Sequence, residues 1–513
     1  MNCLYIFRKI PFVGLLLLTL ACDEGFDDLN TNEVDPTAID PIFQLNNAVI
    51  EMSFPNTTLV YDLGIVQQIT TPNSGVLTGA NFNQDNRNVT EQTWQNYYRN
   101  VIKETRDILS DEEALAERNN LRQMTRILQA HAFMILTDSY GHVPYFSAGE
   151  GFNQQVLYPE YDDQATIYPD LINELREASA ALDASATVES GDVLYGGDIE
   201  QWRAYGYSLL LRAGMRLSKV DPTQAQALAQ EAFQGGVITT NAGNMAVQHD
   251  ANYVNGIGRI LNATEANNYY LAAPFVSYLQ ENNDPRLPAI AVRYVGAESG
   301  PGQVLGPEGN GSNDPEIQIG MPVGNNDETA RQIAASLGLT SFYEFSQVDR
   351  ERMAKQTSPA FMVTAAQNLL LLAEAVERGW VNGSAEELYA AGVRAHMEQL
   401  ALYDPASAVP EAEIDAYLAA NPYDAANALE QINTQYWVAS FLNGSEAFAN
   451  FRRSGFPDLD PNPFPNQDIS ADFIRRITYP ASEIAVNTAN VNAAINSMGP
   501  DRLDTRVWWD VEQ

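Results

Sequence analysis

The chain has 513 residues, with 66 acidic against 29 basic side chains and a formal net charge of −37. A field of that sign repels phosphate backbones and anionic lipid surfaces, which excludes nucleic acid as a partner. Hydrophobic residues make up 45% and charged residues only 19%, which excludes general disorder and a long charged rod and allows one large core.

In chain order, Arg8 and Lys9 come first, then the apolar run from Phe12 to Leu18, then Thr19-Leu20-Ala21-Cys22. A positive start, a short apolar stretch and a small residue before a break make a secretory signal over residues 1–21. The stretch is shorter than the ~20 residues a membrane-spanning helix needs. Leu-Thr-Leu-Ala-Cys resembles a bacterial lipobox, so Cys22 is expected to carry lipid and to begin the mature chain. Cys3 leaves with the signal, no thiol remains, and no disulfide is expected. The mature chain then holds 27 basic and 66 acidic residues. Asp23-Glu24-Gly25-Phe26-Asp27-Asp28 resembles the surface-export signal of lipoproteins in some Gram-negative bacteria. Residues 22–40 read as an acidic flexible tether and residues 41–513 as a single domain.

The body reads as mainly α. Leu121, Met124, Thr125, Leu128, Ala132, Ile135 and Leu136 recur at three- and four-residue steps. The same spacing appears around 171–182, 209–217, 388–400 and 428–441, and Asn443-Gly444 is expected to close the last of these. Phe361 to Val376 is almost wholly apolar and predicts a helix buried on most sides. About ten helices of three turns or more are expected. Pro288 to Val295 and Gly235 to Thr240 are the best strand candidates. Gly296 to Asn326 is loop-like, and a loop of that length is commonly functional or mobile. No strict repeat is present. Helix pairs near 163–184 with 199–219, and 358–379 with 384–400, fit tetratricopeptide-like hairpins.

Catalytic chemistry finds little support. Lys9, Lys103, Lys219 and Lys355 are the only lysines and none follows a glycine, so the Walker A pattern is absent. His131, His142, His249 and His396 show no metal-ligand spacing, and His131 reads as a core histidine. Gly-x-Ser-x-Gly is absent. Asp458 to Asn462 starts like a calcium loop but lacks the sixth-position glycine and the twelfth-position acid. No catalytic residue, metal or cofactor is expected.

Aromatic residues are more informative, with 6 Trp, 24 Tyr and 20 Phe. Sugar rings stack their C–H faces on aromatic planes while amides, carboxylates and guanidiniums satisfy the hydroxyls. Two loop stretches carry that mixture. One is 81–87, with Phe82 and Asn83 as candidate contacts. The other runs from Tyr253 through Arg259 to Asn267-Asn268-Tyr269-Tyr270, with Tyr253, Arg259, Tyr269 and Tyr270 as candidates. An equally physical reading makes Tyr269 and Tyr270 anchors of the next helix. Trp94, Tyr97 and Tyr98 read as core, and Trp508-Trp509 as a dock for the C-terminal tail.

Several blocks in order now resemble the SusD/RagB-like nutrient-binding lipoproteins, in particular the SusD-like 2 subgroup. They are the lipobox with Asp28-Leu29-Asn30-Thr31-Asn32, Thr137 to Tyr145, Leu209 to Ser218, Asp284-Pro285-Arg286-Leu287-Pro288, and Phe361 to Arg378 followed by Asn382 to Glu398. Phe448 to Pro457 and Arg476 to Glu483 complete the set. The resemblance implies a mostly helical fold with tetratricopeptide-like pairs and long ligand-binding loops. It implies capture without chemistry: a lid on a SusC-type TonB-dependent transporter, tethered to the outer membrane through Cys22 and facing the exterior. The family's usual ligands are oligosaccharides, with peptides in some members. A peptide-capturing lid is therefore the competing reading, and a surface glycan-degrading enzyme or an adhesive lipoprotein stands behind it. Arg212 and Arg216, one turn apart, read as structural ion pairs.

Overall fold

The computed structural model describes residues 39–53, 57–73, 75–151, 153–262 and 268–512. The expected signal over 1–21, Cys22 and the expected tether up to residue 38 lie outside the described residues, as does Asn267. Residues from Pro41 onward form one compact unit.

Four helical hairpins build the body. Asn119–Tyr140 packs on Gln164–Ala181, Ile199–Arg216 on Pro222–Gly235, Ala365–Glu377 on Ala385–Gln399, and Ala428–Ala439 on Gly444–Ser454. Successive hairpins stack, since Gln164–Ala181 also packs on Ile199–Arg216 and Ala365–Glu377 on Ala428–Ala439. The expected partners near 163–184 and 199–219 do touch, but as neighbours from two consecutive hairpins. This is the mainly α, tetratricopeptide-like arrangement that the spacing of apolar residues predicts. Strands are short: Ile69–Thr70 pairs with Tyr270–Leu271, Met245–Val247 with Ala360–Val363, and Ala291–Tyr294 with both Gly311–Ser312 and Gln347–Val348.

Helix starts are set by side chains. Asp198 accepts from the backbone N–H of Glu200 and Gln201, and Asp221 from that of Gln224 with Pro222 behind it. Such caps contribute about 1 kcal/mol each. Thr364 and Gln367 form a reciprocal box, so the apolar stretch from Phe361 begins as a strand and becomes helical only at Ala365.

Three other expectations are corrected. Gly444 does not cap the preceding helix; it opens the next one. A Cβ there would stand 2.8 Å from the side chains of Asp62 and Thr58, so the glycine permits close packing. Gly235 to Thr240 is not a strand, because the preceding helix runs to Gly235 and Gly236 closes it; the strand lies at Met245–Val247. Pro288 to Val295 divides into a helical turn, Leu287–Ile290, and the strand Ala291–Tyr294.

Buried ion pairs cross the hairpins. The Arg216 guanidinium reaches Asp138 at 3.1 Å and Glu446 at 2.6 Å, and Arg212 reaches Glu446 at 3.2 Å. Tyr168 and the Trp509 indole donate to Asp138 at 2.5 and 2.8 Å, which docks the C-terminal tail. Arg453 grips Glu374 with two parallel bonds of 2.7 Å. Arg286 binds Asp284 and also reaches His396 and Gln435. Arg212 and Arg216 are thus structural ion pairs, as their one-turn spacing predicts.

Candidate functional site

Three loops meet beside the two-stranded seam of Ile69–Thr70 and Tyr270–Leu271. They are the segments around 71–86, 321–326 and 458–468. The seam places Thr70 opposite Tyr270, and Met321 exchanges backbone bonds with Leu271 and Ala273. The 81–87 stretch and the Tyr269-Tyr270 end of the second one are thus brought to one edge of the helical body.

Asn81 is the knot of these loops. Its carbonyl Oδ1 accepts from the Thr70 hydroxyl at 2.8 Å and from the Gly324 N–H at 3.3 Å. Its Nδ2 donates to the Asn325 backbone at 2.9 Å. Its own backbone carbonyl accepts from Asn462 Nδ2, also at 2.9 Å. Gly324 has φ +76, and a Cβ there would stand 2.6 Å from Asn462 Oδ1, so only glycine fits this crossing. Asn83 donates to Gln467 at 2.7 Å, Gln84 to the Asn466 backbone at 2.9 Å, and Gln67 to the Asp460 backbone at 2.6 Å. Beneath them the Tyr61 hydroxyl donates to the Gln84 carbonyl and accepts from the Asn86 N–H; burial pushes its pKa up, so it stays a neutral clamp.

The fates of the six candidate contacts differ. Phe82 and Asn83 are buried, Phe82 flat against the half-exposed Phe464 and Asn83 in the amide network. Tyr269 and Tyr270 are buried too, with Tyr270 edge-on to Phe342. These four build and support the loop surface rather than offer free faces. Tyr253 is exposed at 56%, and Arg259 is exposed on the short helix Gly256–Leu261. That segment joins a different region: Asn255 bonds to Gln356 and Ser358, and His249 bonds to Ser53 and the Tyr253 carbonyl. Trp94 and Tyr97 are buried and Tyr98 is packed against the core, as their helical spacing predicts.

The exposed rim of the three loops carries Thr78, Asn466 and Asp468, with Gln84, Asn325, Phe464 and Gln467 half-exposed. This is a polar, amide-rich face around one aromatic edge. Sequence reasoning passed over Asn462, which it tested only as part of a calcium loop, and Asn325, which it left inside a long loop. The density of Asn, Gln, Gly and Pro in all three loops was the available signal. The 296–326 stretch is pinned, not free: Asn310 holds Val295, Gly302 and Val304, and Gln318 holds Ser312 and Asp314.

A cleft of about 770 Å³ lies elsewhere, between the 279–288 segment and the 413–421 helix end. Glu281, Glu316 and Glu413 line it, and its one aromatic, Tyr417, is buried with Arg286 over its ring. It lacks a free aromatic plane. No group of three or more His, Cys, Asp or Glu among the described residues converges to hold a metal ion. His131 is buried against the Tyr205 hydroxyl at 2.6 Å, and burial drives its pKa down, so it is a neutral core group. No helix among the described residues is long and apolar enough to cross a membrane.

Stacked helical hairpins carry an amide-rich loop face at one edge of the body. The profile of the SusD-like 2 family, described as starch-binding associating with outer membrane, matches residues 33–480, and the chain belongs to that family. Solved structures agree. A chitin-binding protein is 30% identical with a TM-score of 0.80, over 92% of this chain and 100% of its own. A SusD homolog from Bacteroides uniformis is 25% identical with a TM-score of 0.73, over 93% and 100%. A chitin-binding SusD homolog from Flavobacterium johnsoniae is 24% identical with a TM-score of 0.70, over 93% and 96%. No curated protein matches the sequence.

Proposed function

We propose that this chain is a cell-surface nutrient-binding lipoprotein that captures an oligosaccharide and passes it, as a lid, to a SusC-type TonB-dependent transporter. The observation that carries the reading is the 30% identity with a chitin-binding protein across that protein's whole length. It makes a chitooligosaccharide the first ligand to test. The loop face supports it: amides around an aromatic edge suit acetamido and hydroxyl groups, and no charge is required of the ligand. Lipid on Cys22 anchors the protein, and residues 22–40 act as its tether. Binding and release need no bond-making, so no residue is given a catalytic role.

Isothermal titration with chitotetraose and chitohexaose tests the ligand. Saturable binding is expected, weakened at least tenfold by Asn81→Ala and by Phe464→Ala. Binding that survives both substitutions unchanged in a folded protein contradicts the loop face. Binding of an extended peptide and of no glycan contradicts the ligand class.

A further inference from the structure

A second groove, about 400 Å³, lies on the helical body among Lys103–Ser110, Asn119–Tyr140 and Gln164–Ala181. Its charge is reversed relative to the chain. The whole sequence has more than two acids per base, but this lining sets Arg106, Arg122 and Arg126 against Asp170 and Glu174. Two of the three guanidiniums are already matched. Arg126 is held by Glu174 at 2.8 and 3.0 Å and by Glu177 at 2.9 Å, and Arg122 by Glu112 at 2.7 Å. Asp170 accepts the Tyr145 hydroxyl at 2.8 Å. Arg106 differs. It donates one bond to the Tyr145 backbone at 2.9 Å, its Nε is buried without an acceptor, and no carboxylate bonds to it among the described residues. Beside it Phe146 leaves 48% of its surface exposed on the groove wall.

We propose that this groove is a second glycan site, and that it takes a carboxylate-bearing sugar, a uronate. Arg106 supplies the one unmatched guanidinium, whose planar fork suits a carboxylate. Phe146 supplies the apolar plane for the ring's C–H face, and Gln129 and Asp170 lie within the lining for hydroxyls. The volume admits one or two sugar rings. Helices hold Arg106, Gln129 and Asp170, and Phe146 stands in the turn that follows Asn119–Tyr140, so the charged and polar part of the site is formed before ligand arrives. The assignment is independent of the three-loop face and of its ligand.

The test is titration of the mature chain with trigalacturonate, with chitotriose as the neutral control. Expected are saturable binding of trigalacturonate, loss of at least fivefold in Arg106→Gln, partial retention in Arg106→Lys, and weaker binding in Phe146→Ala. Affinity should also fall as salt is raised from 50 to 200 mM, about as one charge pair requires. Phe146 is exposed, so its variant stays informative even where Arg106→Gln fails to fold. No binding of trigalacturonate by the parent chain, equal binding of chitotriose in this groove, or insensitivity to both Arg106→Gln and Phe146→Ala overturns the proposal.

Discussion

The ring of Phe82 lies flat on that of Phe464, with centroids 3.7 Å apart and planes 6° from parallel. The two residues come from loops at opposite ends of the chain, and the amides of Asn81, Asn83 and Asn462 run beside the stack. Phe82 is buried, so the pair is a rivet between loops and leaves only the half-exposed Phe464 for a ligand to meet.

Removing the rivet should loosen the loops without unfolding the hairpins. Phe82→Ala is expected to lose about 3 kcal/mol locally, from burial and ring contact together. Hydrogen exchange should accelerate in 79–86 and 458–468, while the 119–140 helix keeps its protection. Uniform acceleration over both regions would contradict this division.

Glu374 is fully buried and held by Arg453 on one side and Arg378 on the other. Burial pushes its pKa up, but the charge and hydrogen bonds of Arg453 outweigh that and bring it to about 2. Its folded pKa lies below its unfolded one, so its contribution is present above about pH 4.5 and is lost as pH falls toward 2. Glu374→Gln leaves Arg453 with an uncompensated buried charge and should destabilise by about 3–5 kcal/mol at pH 7. Urea unfolding measures it, and a loss under 1 kcal/mol would contradict the account.

Asp62 has the opposite sign. It is buried with only a long 3.4 Å bond from Thr58, and burial raises its pKa to about 6 although the Arg452 charge works against the shift. The folded pKa lies above the unfolded one, so the folded protein favours the protonated acid. Stability should therefore decline as pH rises from about 4 through 6. Asp62→Asn should remove that decline and stabilise the protein at pH 7 by on the order of 2 kcal/mol. Melting temperatures of both proteins from pH 4 to 8 check it. Parallel profiles would show that Asp62 is not the group responsible.

The tail is fastened by Trp509, whose buried indole donates to Asp138, and by the Arg475–Asp510 pair. Trp509→Ala should destabilise by about 3–5 kcal/mol, since it empties a large buried volume and removes a bond to a buried carboxylate. Calorimetry of the variant tests it, and an unchanged melting temperature would contradict the docking.

The helical hairpins were legible because their apolar residues repeat at 3.6-residue spacing, as from Leu121 to Leu136. Boundaries were less so. Phe361-Met362-Val363 is apolar whether strand or helix, and only the Thr364–Gln367 box decides where the helix starts. Gly444 reads as a stop signal, but its role comes from Asp62 and Thr58, which periodicity cannot place beside it. The loop face was half legible. Composition marked Phe82, Asn83, Tyr269 and Tyr270, but only tertiary structure shows that all four point into the molecule. The partners Asn325 and Asn462 lie hundreds of residues away from Asn81, and a single sequence carries no record of that pairing.

The central claim is a lid that delivers glycan to an outer-membrane transporter. Its most direct test is affinity isolation of the tagged, full-length chain from gently solubilised outer membranes, with bound proteins identified by mass spectrometry. The account predicts a stoichiometric TonB-dependent β-barrel and a chain that begins at a lipidated Cys22. Recovery of the chain without a barrel, under conditions that keep a known transporter pair together, would contradict it.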